Sequence, residues 1–193
     1  MIILIGGASH TGKTLMAQRL LERYGWPYLS IDHLKMGLYR ADMDCGFTPD
    51  DDEDTIGERL WPILKGIVMT CVENRQNLII EGAYLLPHRV NELEAEYLDD
   101  VISLYLGFSE AYIKEFFESK IIASRCAIED RKYENSESAE GFVLANSRQK
   151  ELCAKYSAKY FEIDEDYDKE MDLAYLWIGR CVKERMNDKN CEI

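Results

Sequence analysis

Apolar residues along this chain alternate between short unbroken runs and runs at helical spacing. Met1 to Ile5 is continuous and closed by Gly6 and Gly7, the pattern of a central parallel strand buried on both faces. From Lys13 to Tyr24 the apolar positions Leu15, Met16, Leu20 and Leu21 fall near one helical face, and Gly25 is a natural stop. A short strand is expected from Tyr28 to Ile31 and a helix from about Leu34 to Tyr39. Ile56, Leu60, Ile63, Ile67 and Cys71 predict a longer helix, which Pro62 should either start or kink. The remaining expectations are a strand over Asn77 to Glu81, a short helix around Arg89 to Leu98 and a strand over Val101 to Leu106. Ser109 should then open a helix carrying Ile113, Phe116, Phe117 and Ile121 on one face. Phe142 to Tyr160 reads as helix and Tyr160 to Ile163 as a last short strand. Leu173, Leu176, Trp177, Cys181 and Val182 stripe a terminal amphipathic helix.

Strands alternating with helices imply right-handed crossovers, hence an α/β fold with a parallel sheet between helical layers and ligands at the carboxyl ends of its strands. The 193 residues suffice for a single domain, 1–193, with an acceptor-side region at about 33–75. Between Arg125 and Glu140 hydrophobicity collapses into charge and small polar residues, which predicts a mobile lid over about 126–140.

Charge narrows the function. A net charge of −13 repels nucleic acid and anionic membrane surfaces, leaving a small molecule as the expected partner. No apolar run approaches the roughly eighteen residues of a membrane span, and no basic leader precedes the first strand, so a cytoplasmic protein, monomer or homodimer, is expected. Six cysteines lie scattered without CxxC spacing and read as reduced thiols, mostly in the core.

The most specific signal is GASHTGKT, Gly7 to Thr14, directly after the first strand and opening the first helix. This GxxxxGKT spacing makes a phosphate-binding loop. Backbone amides of Gly7, Ala8, Ser9, His10, Thr11 and Gly12 turn inward as a nest of donors at the positive end of a helix that continues through Leu15. Lys13 would reach the β and γ phosphates of a nucleoside triphosphate, and the Thr14 hydroxyl would ligate the accompanying magnesium.

Phosphoryl transfer needs in-line positioning, charge neutralisation and a destination for the acceptor's proton. Asp32 and Glu81 both follow strands at their carboxyl ends and should converge with Thr11 on one crevice. Either carboxylate can serve as base or organise magnesium, and Asp32 can also cap the following helix. Arg125, Arg131 and Arg148, in or beside the polar segment, are candidates to bring guanidinium groups onto the transferring phosphates. His33, His88, Arg40, Arg89 and Tyr84 border the acceptor side as weaker contacts, and His10 is exposed or near substrate. The stretch Ala41 to Asp54 holds seven acids and no base, read as a solvated loop that caps the next helix.

Taken together, GASHTGKT, the SIDH turn, LIIEG, the polar segment with its arginines and SRQKELCAKYSAKYFEID resemble the small P-loop kinases. These are the nucleoside-monophosphate kinase-like group of adenylate, shikimate and gluconate kinases and chloramphenicol phosphotransferase. IIEGAYLLP is also similar to a segment of 2-phosphoglycerate kinases, although acids between Ala41 and Asp54 stand where a phosphorylated acceptor would want cations. The resemblance implies a three-layer P-loop NTPase fold with a five-stranded sheet of order 2-3-1-4-5 and an arginine-bearing lid. It also implies ATP as donor with Mg2+, Asp32 as the acceptor-activating carboxylate, and Ile163 to Tyr167, including Asp164, beside the adenine. The expected activity is transfer of the γ-phosphoryl group to a small-molecule hydroxyl. A nucleoside-monophosphate kinase and a non-catalytic nucleotide switch are the alternatives.

Overall fold

The computed structural model describes residues 1–124 and 138–191. Five parallel strands, β1 (Ile2–Gly7), β2 (Tyr28–Ser30), β3 (Leu78–Glu81), β4 (Val101–Phe108) and β5 (Tyr160–Ile163), form one sheet in the order β2-β3-β1-β4-β5. Every residue of β1 is buried, as its unbroken apolar run requires of a strand covered on both faces.

The period of two along β1 divides the core. Ile3 and Ile5 pack with Met16, Ala17 and Leu20 of α1 (Lys13–Tyr24) and with Met171, Ala174 and Ile178 of the final helix. Ile2 and Leu4 face the other way, onto Ile56, Leu60, Leu64 and Val68 of α3 (Glu53–Glu73). Two helical layers therefore enclose the sheet.

Register carries the functional ends together. Glu81 pairs with Ile5 on one side and Ser30 on the other, so β2 and β3 end level while β1 runs two residues further, to Gly7. Because β1 runs between β3 and β4, chain leaving β2 and β3 goes to one side of it, and chain leaving β4 and β5 to the other. A crevice opens at such a switch point.

Several boundaries differ from the sequence expectation. Ile31 already belongs to α2 (Ile31–Ala41), whose N-cap is Ser30, so Asp32 sits in the first turn and does not cap. Pro62 does not start α3, which runs on either side of it: Asp52 caps the helix by accepting from Thr55 N, and buried side chains on both sides of Pro62 hold one face down. The expected helix at 89–98 is two single turns, α4 (Pro87–Val90) and α5 (Ala95–Leu98). Ser109 caps α6 (Glu110–Phe116) as expected, and the chain continues as a π-helical turn, Phe117–Ile122. α7 (Ala139–Lys155) begins earlier than the helix expected from Phe142, so Ala139 and Glu140 are in its first turn.

The stripe on α8 (Tyr167–Cys191) is displaced from the expected one. Met171, Ala174, Ile178 and Val182 are buried, whereas Leu173 and Leu176 are 58% and 62% exposed. Ala174 is fully buried on this face, although its small side chain adds little to an apolar periodicity, while Trp177, Cys181 and Val182 of the expected stripe do pack on the core. Cys153 is buried, but Cys45, Cys71 and Cys181 are only half-buried. No helix among the described residues is long and apolar enough to cross a membrane.

Candidate active site

A cavity of about 1010 Å³ opens at the switch point. Its floor is the loop between β1 and α1. Gly7 has φ +125°, and a Cβ there would fall 2.1 Å from the Leu106 carbonyl oxygen, so only glycine lets this loop leave the sheet. The Ala8 carbonyl is the loop's anchor, accepting from Thr11 Oγ1 at 2.8 Å and from Lys13 Nζ at 2.6 Å. Gly12, at φ +86°, caps α1, and a Cβ on it would lie 2.0 Å from the Tyr167 hydroxyl. Ser9, His10, Gly12, Lys13, Thr14 and Leu15 reach the cavity, while Gly7, Ala8 and Thr11 stand behind them. His10 is half-buried, its ring 5.4 Å from that of Phe142.

On the β2 and β3 side, Glu81 is 2% exposed and accepts from Thr14 Oγ1 through Oε2 at 3.3 Å. Its other oxygen, Oε1, is buried with no hydrogen-bond partner among the described residues. Burial pushes the Glu81 carboxyl above the usual carboxylate range, and Ser30, Lys13 and Thr14 offset this only in part. A buried oxygen without a partner is costly. Placed beside a threonine hydroxyl and a nest of amides, it fits a magnesium held through Thr14 with Glu81 accepting from the ion's water. Among the described residues no group of three or more His, Cys, Asp or Glu is arranged to hold a metal.

Asp32 reaches the same cavity from α2, half-exposed and paired at 3.3 Å with Lys35 Nζ one turn on. Lys35 is buried and donates to the Tyr84 hydroxyl at 2.6 Å. Burial works against its ammonium, yet the bond to Tyr84 and the charge of Asp32 outweigh it, so its pKa is raised. Burial likewise pushes the Tyr84 phenol up. Glu53, from the first turn of α3, completes this wall.

On the β4 and β5 side the lining is aromatic and acidic. Phe108 and Tyr112 stack at 5.2 Å between centroids, and Lys120 Nζ lies 3.5 Å from the centroid of Phe116. Glu165, Asp166, Tyr167 and Asp168 close the far end. The acids cluster at the start of α8, where the helix favours negative charge.

The structure thus brings Lys13, Thr14, Asp32, Glu81 and Tyr84 together and leaves other sequence candidates outside. Arg148 projects from α7 into an ion pair with Asp54 and does not line the cavity. Arg89 is held by Glu58 and Glu92, and His88 Nε2 lies 2.9 Å from Glu58 Oε1. His33, Arg40 and Asp164 are exposed away from the cavity, although Glu165 to Tyr167, from the loop that includes Asp164, do line it. Arg125, Arg131 and nearly all of the expected lid lie outside the described residues. Lys35, Glu53, Tyr112, Lys120 and Asp168 were not singled out in the sequence. Only Lys35 left a usable sign there, its spacing of three from Asp32 on a helix.

The chain matches no protein-family model and no curated protein. Solved structures do share its fold. A protein from Chloroflexus aurantiacus J-10-fl, assigned only provisionally as a kinase, superimposes with a TM-score of 0.58 at 18% identity, over 95% of this chain and 96% of that one. Shikimate kinase from Aquifex aeolicus VF5 gives 0.56 at 12% identity, over 94% and 99% of the two chains. Shikimate kinase from Acinetobacter baumannii, solved with shikimate, gives 0.55 at 17% identity, over 93% of each. Sheet order, phosphate loop and these superpositions agree: the chain has the α/β fold of the P-loop small-molecule kinases.

Proposed function

We propose that this protein transfers the γ-phosphoryl group of ATP to a hydroxyl of a small molecule. The observation that carries this reading is one cavity in which two carboxylates with different surroundings face the phosphate loop. Glu81 is buried on Thr14, and Asp32, half-exposed, lines the same cavity.

The two carboxylates then divide the work. Loop amides and Lys13 hold and neutralise the β and γ phosphates. Thr14 and Glu81 would hold the magnesium, which supplies charge neutralisation between donor phosphates and orients them. Asp32 accepts the acceptor's proton as its oxygen attacks the γ phosphorus; the new O–P bond forms, the bond to the β,γ-bridging oxygen breaks, and ADP leaves. Lys35 holds Asp32 in place for this step.

The test is ATP consumption with magnesium over a metabolite panel, alongside calorimetry of ATP binding to the wild type and Lys13→Ala. Acceptor-dependent ADP release, with triphosphate binding lost in Lys13→Ala, is the expected result. Triphosphate binding unchanged in a folded Lys13→Ala protein would overturn it.

A further inference from the structure

Resting on the triphosphate site of that reading, we infer that Asn146 of α7 is a positioning residue for the phosphate loop: it takes the Phe108 amide and so leaves the Ala8 carbonyl to Thr11 and Lys13.

The bonds between β1 and β4 form a regular parallel row. Ile2 N donates to the Asp100 carbonyl at one end of it, and Ala8 N donates to the Leu106 carbonyl at 3.2 Å at the other. The register pairs Gly7 with Leu106, which sets Ala8 opposite Gly107. In a parallel ladder a residue that donates to the position before its partner accepts from the position after it. The next bond of the row would therefore run from Phe108 N to the Ala8 carbonyl. Phe108 is the last residue of β4 and is buried, so its amide needs a partner inside the protein.

That next bond is not made. The Ala8 carbonyl accepts from Thr11 Oγ1 at 2.8 Å and from Lys13 Nζ at 2.6 Å. A carbonyl oxygen has two lone pairs, and these two donors use both. Phe108 N donates instead to Asn146 Oδ1 at 2.7 Å, and Asn146 is only 2% exposed. An amide N–H can only donate, so the Asn146 oxygen faces it, and Nδ2 donates in turn to the Phe142 carbonyl one helical turn back, at 2.8 Å. Asn146 thus stands in for the strand residue that β1 gives up when it leaves the sheet at Gly7. The same turn of α7 reaches the loop a second time, through the Phe142 ring, 5.4 Å from that of His10, whose backbone is held at φ +63°. Without the Asn146 oxygen, the Phe108 amide either stays unpaired in the interior or competes with Thr11 and Lys13 for the Ala8 carbonyl. The competition would pull on the two side chains that shape the loop and charge it.

Magnesium ATP is titrated by calorimetry into the full chain, wild type and Asn146→Leu, well below the melting temperature. The dissociation constant is expected to rise about tenfold in the variant, the worth of one buried hydrogen bond. Asn146→Asp, isosteric and able to accept from Phe108 N in either protonation state, is expected to stay within about threefold of the wild type. A lower melting temperature with ATP affinity unchanged makes Asn146 a packing residue and overturns the proposal, as does an equal loss of affinity in the leucine and aspartate variants. The kinase reading survives both results. Should Asn146→Leu not fold, judged by circular dichroism, Asn146→Ala removes the same oxygen with less bulk and is read by the same outcomes. ATP bound by none of the proteins, wild type included, overturns the kinase reading and this inference with it.

Discussion

The phosphate loop and the carboxylate-bearing wall of the cavity are built on opposite plans. The loop is one unbroken stretch, Gly7 to Thr14, whose shape comes from main-chain geometry and two glycines with no room for a side chain. The opposite wall is assembled from Asp32, Glu53, Glu81 and Tyr84, with Lys35 bound to Asp32 and Tyr84, and these meet only because β2 and β3 end level and α3 returns over them. A contiguous backbone cradle tolerates little change but can be recognised from spacing alone. A wall of side chains from separate elements is easily altered and leaves no local pattern.

That contrast is most directly broken by Asp32→Asn. Turnover should fall by about 10²–10⁴ while ATP affinity, measured by calorimetry, stays unchanged. A parallel loss of ATP affinity would show that the two sides are not separable. A nucleoside-monophosphate kinase, whose acceptor phosphate needs no base, would lose much less.

Lys13→Ala attacks the other side and should cost about 10²–10³ in turnover together with triphosphate binding. Gly7→Ala tests whether the cradle depends on backbone shape. The strained φ alone should cost about 1–3 kcal/mol, with displacement of the Leu106 carbonyl added, read as a lower midpoint in urea denaturation.

Glu81→Gln is subtler. Its carboxyl is pushed up by burial, so between the ordinary glutamate pKa and that raised value the folded state holds more protons than the unfolded one. Stability of the nucleotide-free protein should therefore fall as pH rises through that window, and the loss should be absent in Glu81→Gln. Thermal melts across pH for both proteins check this, and a Gln variant with the same pH dependence would remove Glu81 as its source. The smallest effect is expected at Leu173→Ser on the exposed face of α8, within about ±0.5 kcal/mol, whereas Ile178→Ala on the buried face should cost about 2–5 kcal/mol.

How much of this was legible follows from the same contrast. The first strand, the phosphate loop and the first helix were readable because each is coded by adjacent residues. Asp32 and Glu81 were readable because strand ends could be placed. The Lys35–Tyr84 bond joins residues 49 apart, and no periodicity couples them. The ion pair of Arg148 with Asp54, 94 residues away in the acidic stretch, left no sign in the sequence. The terminal stripe was read correctly at Trp177, Cys181 and Val182, which pack on the core, and misread at Leu173 and Leu176, because small Ala174 holds the buried face while adding little to an apolar pattern.

The sequence by itself determined the sheet's buried central strand, the alternation of strand and helix, and a turn that only glycines can make, because these depend on interactions between near neighbours. Tertiary structure alone decided which carboxylate is buried on Thr14, which stands half-exposed and paired with Lys35, and which cations are already spent on acids. Those outcomes depend on distances and burial across separate elements, and a one-dimensional pattern carries neither.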